Sequence, residues 1–409
     1  MLKTRERASW EIKEKILFAI ASVLAFVSMV YLFWAQSIKL NGLYYSDFMG
    51  HISRALANGG SGYSLEGKLV VFFNQITNGS TIGISVFLAL VVIATPVAVA
   101  FLLSQIDLTD KEYLKTGQKY WIGLWSIFAG PIVIPCIWNW FYKNAMNINA
   151  WHNSTSMEMR LFSVLALALY FRIQHYSFDQ EKQIKLLDWL VFSLSLLIST
   201  WFKPSFFVGF APVMLLWLMI DFFRSLKDGQ KIRKIFIFGL AAIPAGCMAI
   251  LQYMKLYGSR EDVSLAISES QNVGLYLTRL GMFIIIPLLV FLFNRKKIQK
   301  DYREGNRSYY QVALLWAIEI MYHFFLTEVG RKGGNLGWGA RIGNYLLLLF
   351  SLRLFCLNIN HIWKKRKEGL VIQKYEMVYL IGVGFMFLWQ LGDGIYYYGH
   401  LLSGGTYLI

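Results

Sequence analysis

Eleven stretches of this 409-residue chain are apolar over most of a length that matches a lipid bilayer, and no other property limits its fold as strongly. "ILFAIASVLAFVSMVYLFWA" and "IGISVFLALVVIATPVAVAFLL" show the pattern. Each reaches the roughly 20 residues that a helix needs to cross about 30 Å of hydrocarbon. Unpaired backbone groups cannot face lipid, so such segments must be helical. The chain is therefore expected to be an all-α integral membrane protein, one polytopic domain over residues 1–409. Spans are placed near residues 16–37, 82–105, 120–138, 158–173, 187–202, 205–223, 235–254, 275–293, 310–326, 340–357 and 377–398. The first run lacks a small-residue cleavage site before "SIKLNGLYYSD" and is read as a retained helix rather than a signal peptide. Composition agrees, since 56% hydrophobic and 17% aromatic residues lie outside the range of soluble globular chains.

A net charge of +16 would suggest nucleic acid in a soluble protein. Here the basic residues flank the spans instead, and no nucleic-acid partner is expected. The N-terminal segment and every second loop carry 26 Lys and Arg, including "RSLKDGQKIRK" and "NRKKIQKDYREGNR". The opposite side carries 10, counting Arg341 at the mouth of its span, and four lie within spans. Basic residues are retained in the cytoplasm, so the N-terminus is expected inside and the C-terminus outside a cell membrane. The external connections are then about 38–81, 139–157, 255–274 and 327–339. Cys136, Cys247 and Cys356 fall in or beside spans, where cysteine acts as a small apolar residue, and no disulfide framework is expected. No internal repeat marks the chain as a solenoid or as a transporter built from inverted halves.

The longest external connection holds "YYSDFMGHISRALANGG", in which Phe48, Ile52, Ala55 and Leu56 recur at helical spacing. A short amphipathic helix at the interface is predicted there. Asp47 and His51, four residues apart, would share one face of it with Arg54 a turn further on. A carboxylate with an imidazole and a guanidinium alongside can take a proton from a sugar hydroxyl. Equally, Asp47 with Ser46 would cap the helix, leaving His51 a solvated surface residue.

In "SDFMGH", Ser46, Asp47, Phe48 and His51 resemble the setting of an aspartate in the GT-C glycosyltransferase superfamily. These polytopic enzymes take a sugar from a polyprenyl-phosphate carrier, and an aspartate in the first extracytoplasmic loop serves as their base. The topology and the basic cytoplasmic loops are similar too. The resemblance implies that Asp47 is the catalytic base and that transfer to an extracytoplasmic glycan or lipid-linked acceptor proceeds with inversion. It implies no cofactor beyond the lipid-linked sugar, with membrane lipid as the surrounding partner. The chain departs from part of the superfamily in having no acidic DxD or ExD pair in its external loops, so no metal is expected. No large C-terminal external domain is expected either, which leaves the loops and spans to hold the acceptor.

A lipid-linked donor carries a phosphate, and a cation near the outer surface would stabilise both its binding and its departure. Lys203, Arg331, Lys332 and Arg341 are the candidates. Lys203 stands out in "TWFKPSFF" because a charge between two apolar spans is costly without a partner, although a lysine at a helix end also snorkels. In "AWHNSTSMEMR", Trp151, His152 and Asn153 offer an aromatic surface and hydrogen-bonding groups suited to a pyranose, with Glu158 and Arg160 expected to pair. "NST" at Asn153 also matches a glycosylation acceptor. "EVGRKGGNLGWGAR" sets Glu328, Arg331, Asn335 and Trp338 among glycines, as a mobile substrate loop or as an interfacial loop anchored by its tryptophan. Glu319, His323 and Asp393 are ionisable residues inside spans, serving either function or helix packing. A capsule or O-antigen polymerase, a polysaccharide flippase or other transporter, and a membrane O-acyltransferase are the alternative functions.

Overall fold

The computed structural model describes residues 10–38, 42–110, 112–133, 147–179, 183–257, 264–267, 273–329 and 336–407. Within them the chain is a helical bundle. The helices are α1 (Ile12–Ile38), α2 (Asp47–Ala57), α3 (Leu65–Ile76), α4 (Ile82–Thr109), α5 (Thr116–Phe128) and α6 (Ser154–Gln174). They continue with α7 (Leu186–Phe202), α8 (Ser205–Arg224), α9 (Gly229–Tyr257), α10 (Val273–Arg303), α11 (Ser308–Phe325), α12 (Leu336–Lys367) and α13 (Lys374–Leu402). All but α2 and α3 coincide with an apolar segment marked in the sequence. Six of them, α1, α4, α8, α9, α12 and α13, are long and apolar enough to cross a membrane.

Two features differ from the expectation. α5 stops at Phe128, short of the expected 120–138 segment, most of whose remainder lies outside the described residues. Two short strands, β1 (Ser264–Ile267) and β2 (Leu326–Val329), pair antiparallel with Leu265 opposite Glu328. They join the connection after α9 to the connection after α11. Backbone that leaves a helix near a membrane must still satisfy its N–H and C=O groups, and pairing two such segments with each other does so.

Local chemistry accounts for several boundaries. Asn153 caps α6 by accepting from the Ser156 N–H at 3.1 Å, and Ser64 accepts from the Glu66 N–H at 3.4 Å to start α3. The Glu376 carboxylate reaches back to the Gln373 N–H at 2.9 Å at the head of α13. α4 carries Pro96 in its interior, where the ring removes one backbone donor. Gly123 of α5 packs on that spot, and a Cβ there would lie 2.6 Å from the Pro96 backbone, so only glycine allows the approach.

α6 and α12 run through the centre, buried along nearly all their length, with α4, α7, α8 and α11 packed around them. Apolar side chains of α1 such as Ile16, Ile20, Val23, Leu24 and Val27 are exposed, as are Val378, Ile381, Phe385 and Leu388 of α13. A polytopic protein places such surfaces against lipid.

The bundle has two polar ends of different character. At one, Arg353 of α12 is buried and its Nη2 reaches Asp107 at 2.7 Å and Asp110 at 2.9 Å at the C-terminal end of α4. Lys119 of α5 completes Asp107 at 2.6 Å, and Lys297 of α10 completes Asp110 at 3.2 Å. Burial by itself would push the Asp110 carboxyl up, but the charges of Arg353 and Lys297 outweigh it and hold the group below the usual carboxylate range. At the other end, the end of α1 meets the start of α4 through a Ser37–Thr81 hydroxyl contact of 2.6 Å. Asp47 lies at this second end.

Candidate functional site

α2 is the predicted amphipathic helix. Phe48, Ile52 and Ala55 are buried against the bundle, while Leu56, expected on the same face, is exposed. With Phe48 anchored beside Phe33 at 6.3 Å between ring centres, the preceding residue is turned aside by one helical step. Asp47 is half-buried beside it. The cap position belongs to Ser46, whose side chain makes no capping bond, and Asp47 is the first helical residue. The Asp47 N–H donates to the His152 carbonyl at 3.1 Å, which ties the head of α2 to the turn before α6.

The Asp47 carboxylate accepts from Asn153 Nδ2 and from the Tyr407 hydroxyl, both at 3.4 Å. Both contacts are long for a carboxylate, which has about four lone-pair sites, so acceptor capacity remains. Burial and the neighbouring Asp47 push the Tyr407 phenol up to about 12, so it keeps its proton at neutral pH and serves as a donor. The His152 ring stacks on Tyr407 at 4.0 Å with planes 9° apart, and it lies 5.8 Å from the Trp338 ring.

Asn153 is the hub. Its Oδ1 accepts from Lys203 Nζ at 3.1 Å and from Thr155 Oγ1 at 3.0 Å while its Nδ2 faces Asp47. One amide therefore connects the acid at the head of α2 to the lysine between α7 and α8. Lys203 is buried, also donates to Thr155 Oγ1 at 3.5 Å, and lies 4.1 Å from the centre of the Trp338 ring. The Arg341 guanidinium covers the same ring at 4.7 Å and donates to the Asn147 carbonyl at 3.1 Å. A tryptophan between two cations offers both a stacking surface and a positive wall. A buried lysine fixed by Asn153, Thr155 and an indole is held more firmly than a snorkelling one.

A cavity of about 150 Å³ opens beside this group. Thr155, Lys203, Glu319, Glu328, Tyr253 and Tyr257 are among the residues that line it. Glu328 sits on β2 and accepts from the Tyr257 hydroxyl, so the strand pair closes one side.

Several expectations fall differently. His51 turns to Glu66 of α3, Nδ1 to Oε2 at 2.7 Å, and Arg54 is exposed with its Nε on the Gly50 carbonyl at 3.0 Å. The three polar residues of α2 therefore do not act as one cluster, because α3 supplies a closer acid and Arg54 faces solvent. Glu158 and Arg160 do not pair. Arg160 donates to Asn149 and to the Ile148 carbonyl and lies 4.6 Å from the Tyr345 ring centre, whereas both Glu158 oxygens are buried without a hydrogen-bond partner among the described residues. The two residues stand two places apart, about 200° around a helix of 3.6 residues per turn, and so face different sides of α6. Trp338 and Arg341 belong to the first turns of α12, not to a loop. Arg331, Lys332 and Asn335 lie outside the described residues. Asn153 is buried, which removes it from the glycosylation acceptors that need an exposed loop.

Glu66, Thr155 and Tyr407 were missed from the sequence. Thr155 stands two places from Asn153 and carried a local signal, but Tyr407 is brought to Asp47 by tertiary packing alone. Among the described residues no group of three or more His, Cys, Asp or Glu side chains is gathered in the manner of metal ligands. Comparison of the chain with protein-family models, with curated proteins and with solved structures finds no match in any of the three.

Proposed function

We propose that the protein is a GT-C-like glycosyltransferase that moves a sugar from a polyprenyl-phosphate donor to an extracytoplasmic acceptor. The observation that carries this reading is the convergence of Asp47, Asn153, Lys203, Trp338 and Arg341, drawn from four separate parts of the chain, at one end of the bundle. An acid with acceptor capacity next to a cationic, aromatic wall is what a hydroxyl acceptor and a phosphate leaving group need.

In this reading Asp47 takes the proton of an acceptor hydroxyl as its oxygen bonds to the anomeric carbon. The bond from that carbon to the phosphate oxygen breaks, and the electron pair leaves on the polyprenyl phosphate, with inversion. Lys203 and Arg341 stabilise the departing charge, and Trp338 stacks on the sugar or its phosphate. Tyr407 and Asn153 hold the carboxylate in place. Turnover of a polyprenyl-phosphate hexose by the purified protein, with release of polyprenyl phosphate, tests the whole reading. Hydrolysis or transport without glycosidic-bond formation refutes it.

Lys203→Ala is expected to weaken use of the lipid donor by roughly 1.5 to 3 kcal/mol, the worth of a charge-assisted hydrogen bond. The protein should still reach the membrane in normal amount. Steady-state kinetics with varied donor would return Lys203 to a packing role if the apparent affinity were unchanged.

The site belongs on the extracytoplasmic face of a cell membrane in this proposal, with eleven crossings, the N-terminus inside and the C-terminus outside. The excess of Lys and Arg on alternate loops supports that orientation, and the coincidence of eleven helices with the eleven apolar segments supports the count. A reporter fused after Arg233 is expected in the cytoplasm, and one fused at Gly404 outside. A cytoplasmic signal at Gly404 would break the eleven-span arrangement.

A further inference from the structure

Glu319 belongs to α11 and lies six residues, or about 9 Å of helix, below its end. It is only 2% exposed, yet it lines the same cavity as Lys203. Its Oε1 has no hydrogen-bond partner among the described residues. The carboxyl occupies space left by Gly209 of α8 and Gly339 of α12, and a Cβ on either glycine would collide with its oxygens. Gly343, one turn further along α12, would bring a Cβ to 3.5 Å from the Glu319 Cβ.

A buried acid that serves helix packing normally finds a donor on the neighbouring helix. Glu319 faces glycines there, where it interacts with the Gly209 backbone and no side chain among the described residues bonds it, and the residue forms part of the cavity wall. A smaller apolar residue would fill the same place at less cost. The arrangement keeps a carboxyl with unused hydrogen-bonding capacity on the wall of the cavity that Lys203 also lines. The tyrosines at 253, 257 and 322 on the surrounding wall give that ligand flat, partly apolar surfaces.

We propose that Glu319 is a specificity-determining residue that accepts a hydrogen bond from a hydroxyl of the donor's sugar ring. The inference rests on the lipid-linked donor reading given above. It divides the recognition of the donor between two points in one cavity: Lys203 for the phosphate, and Glu319 for the ring attached to it.

The experiment uses the full chain in lipid nanodiscs and two probes, a polyprenyl monophosphate and a polyprenyl-phosphate hexose, titrated against tryptophan fluorescence. The parent is expected to bind the hexosyl lipid about 10-fold more tightly than the bare phosphate lipid, as one well-formed hydrogen bond provides. Glu319→Ala should abolish that preference and leave binding of the bare lipid unchanged, which also reports that the variant is folded. Glu319→Gln, whose amide oxygen still accepts, should keep part of the preference. Equal binding of both lipids by the parent, or an undiminished preference in Glu319→Ala, overturns the assignment of Glu319 and leaves the donor reading standing. Loss of both lipids in Glu319→Ala and Glu319→Gln alike makes the residue a packing element and overturns it too. Failure of the parent to bind either lipid overturns the donor reading and this inference together.

Discussion

For the proposed transferase, Asp47→Asn is expected to leave the protein folded and able to hold a lipid-linked donor while slowing sugar transfer by about 10² to 10⁴-fold. Asparagine matches the size of aspartate and keeps one oxygen to accept from Tyr407 or Asn153, but it cannot take a proton from a hydroxyl. The structure removes the competing explanation that the change would merely unsettle a helix cap. Ser46 holds the cap position, and the Asp47 tie to the rest of the bundle is a backbone bond to His152 that the substitution preserves. His51→Ala should cost far less, since His51 is turned to Glu66 rather than to the acid. Rates and donor binding measured on the same purified preparation decide the matter. A variant with half or more of the parent's rate would take the catalytic role from Asp47.

Arg353→Ala is expected to destabilise the protein by roughly 3 to 5 kcal/mol, the usual result of removing one partner from a buried ionic group. Asp107 and Asp110 would be left beside an empty space, with Lys119 and Lys297 as their remaining cations. The effect should depend on pH with a definite sign. Asp110 is held below the usual carboxylate range, so its contribution is present at neutral pH and fades as the pH falls through that depressed value. Without Arg353 the fading should begin at a higher pH. Thermal unfolding in detergent across a pH series measures both. Combining Arg353→Met with Asp107→Asn, which removes charge from both sides, should recover part of the loss, whereas an unfolding temperature unchanged in Arg353→Ala would show that the network contributes nothing.

The bundle was legible because hydrocarbon imposes one rule on every crossing segment, and that rule is written in local composition. The amphipathic α2 was legible for a similar reason, through the spacing of Phe48, Ile52 and Ala55. The site was legible only in parts. Asp47, Asn153, Lys203, Trp338 and Arg341 stood out one at a time, as polar residues in places where polarity is costly, but their meeting depends on how α6, α8 and α12 pack. Pairing on one helix was the weakest guide. Asp47 and His51 of α2 and Arg160 of α6 each found partners on other elements, because burial rewards whichever donor or acceptor is nearest in space. Arg54 bonds within α2, and the Glu158 oxygens have no hydrogen-bond partner among the described residues. The β1–β2 pair had no period long enough to read in four-residue strands.

Tyr407 follows Asp47 by 360 residues. At the roughly 5 to 20 residues per second of protein synthesis, the acid waits about 20 to 70 s before the phenol that contacts it has been made. Asn153 arrives much sooner, 106 residues after Asp47. The constellation around the carboxylate is thus assembled in two instalments during biogenesis, and a chain still emerging from the ribosome lacks part of it.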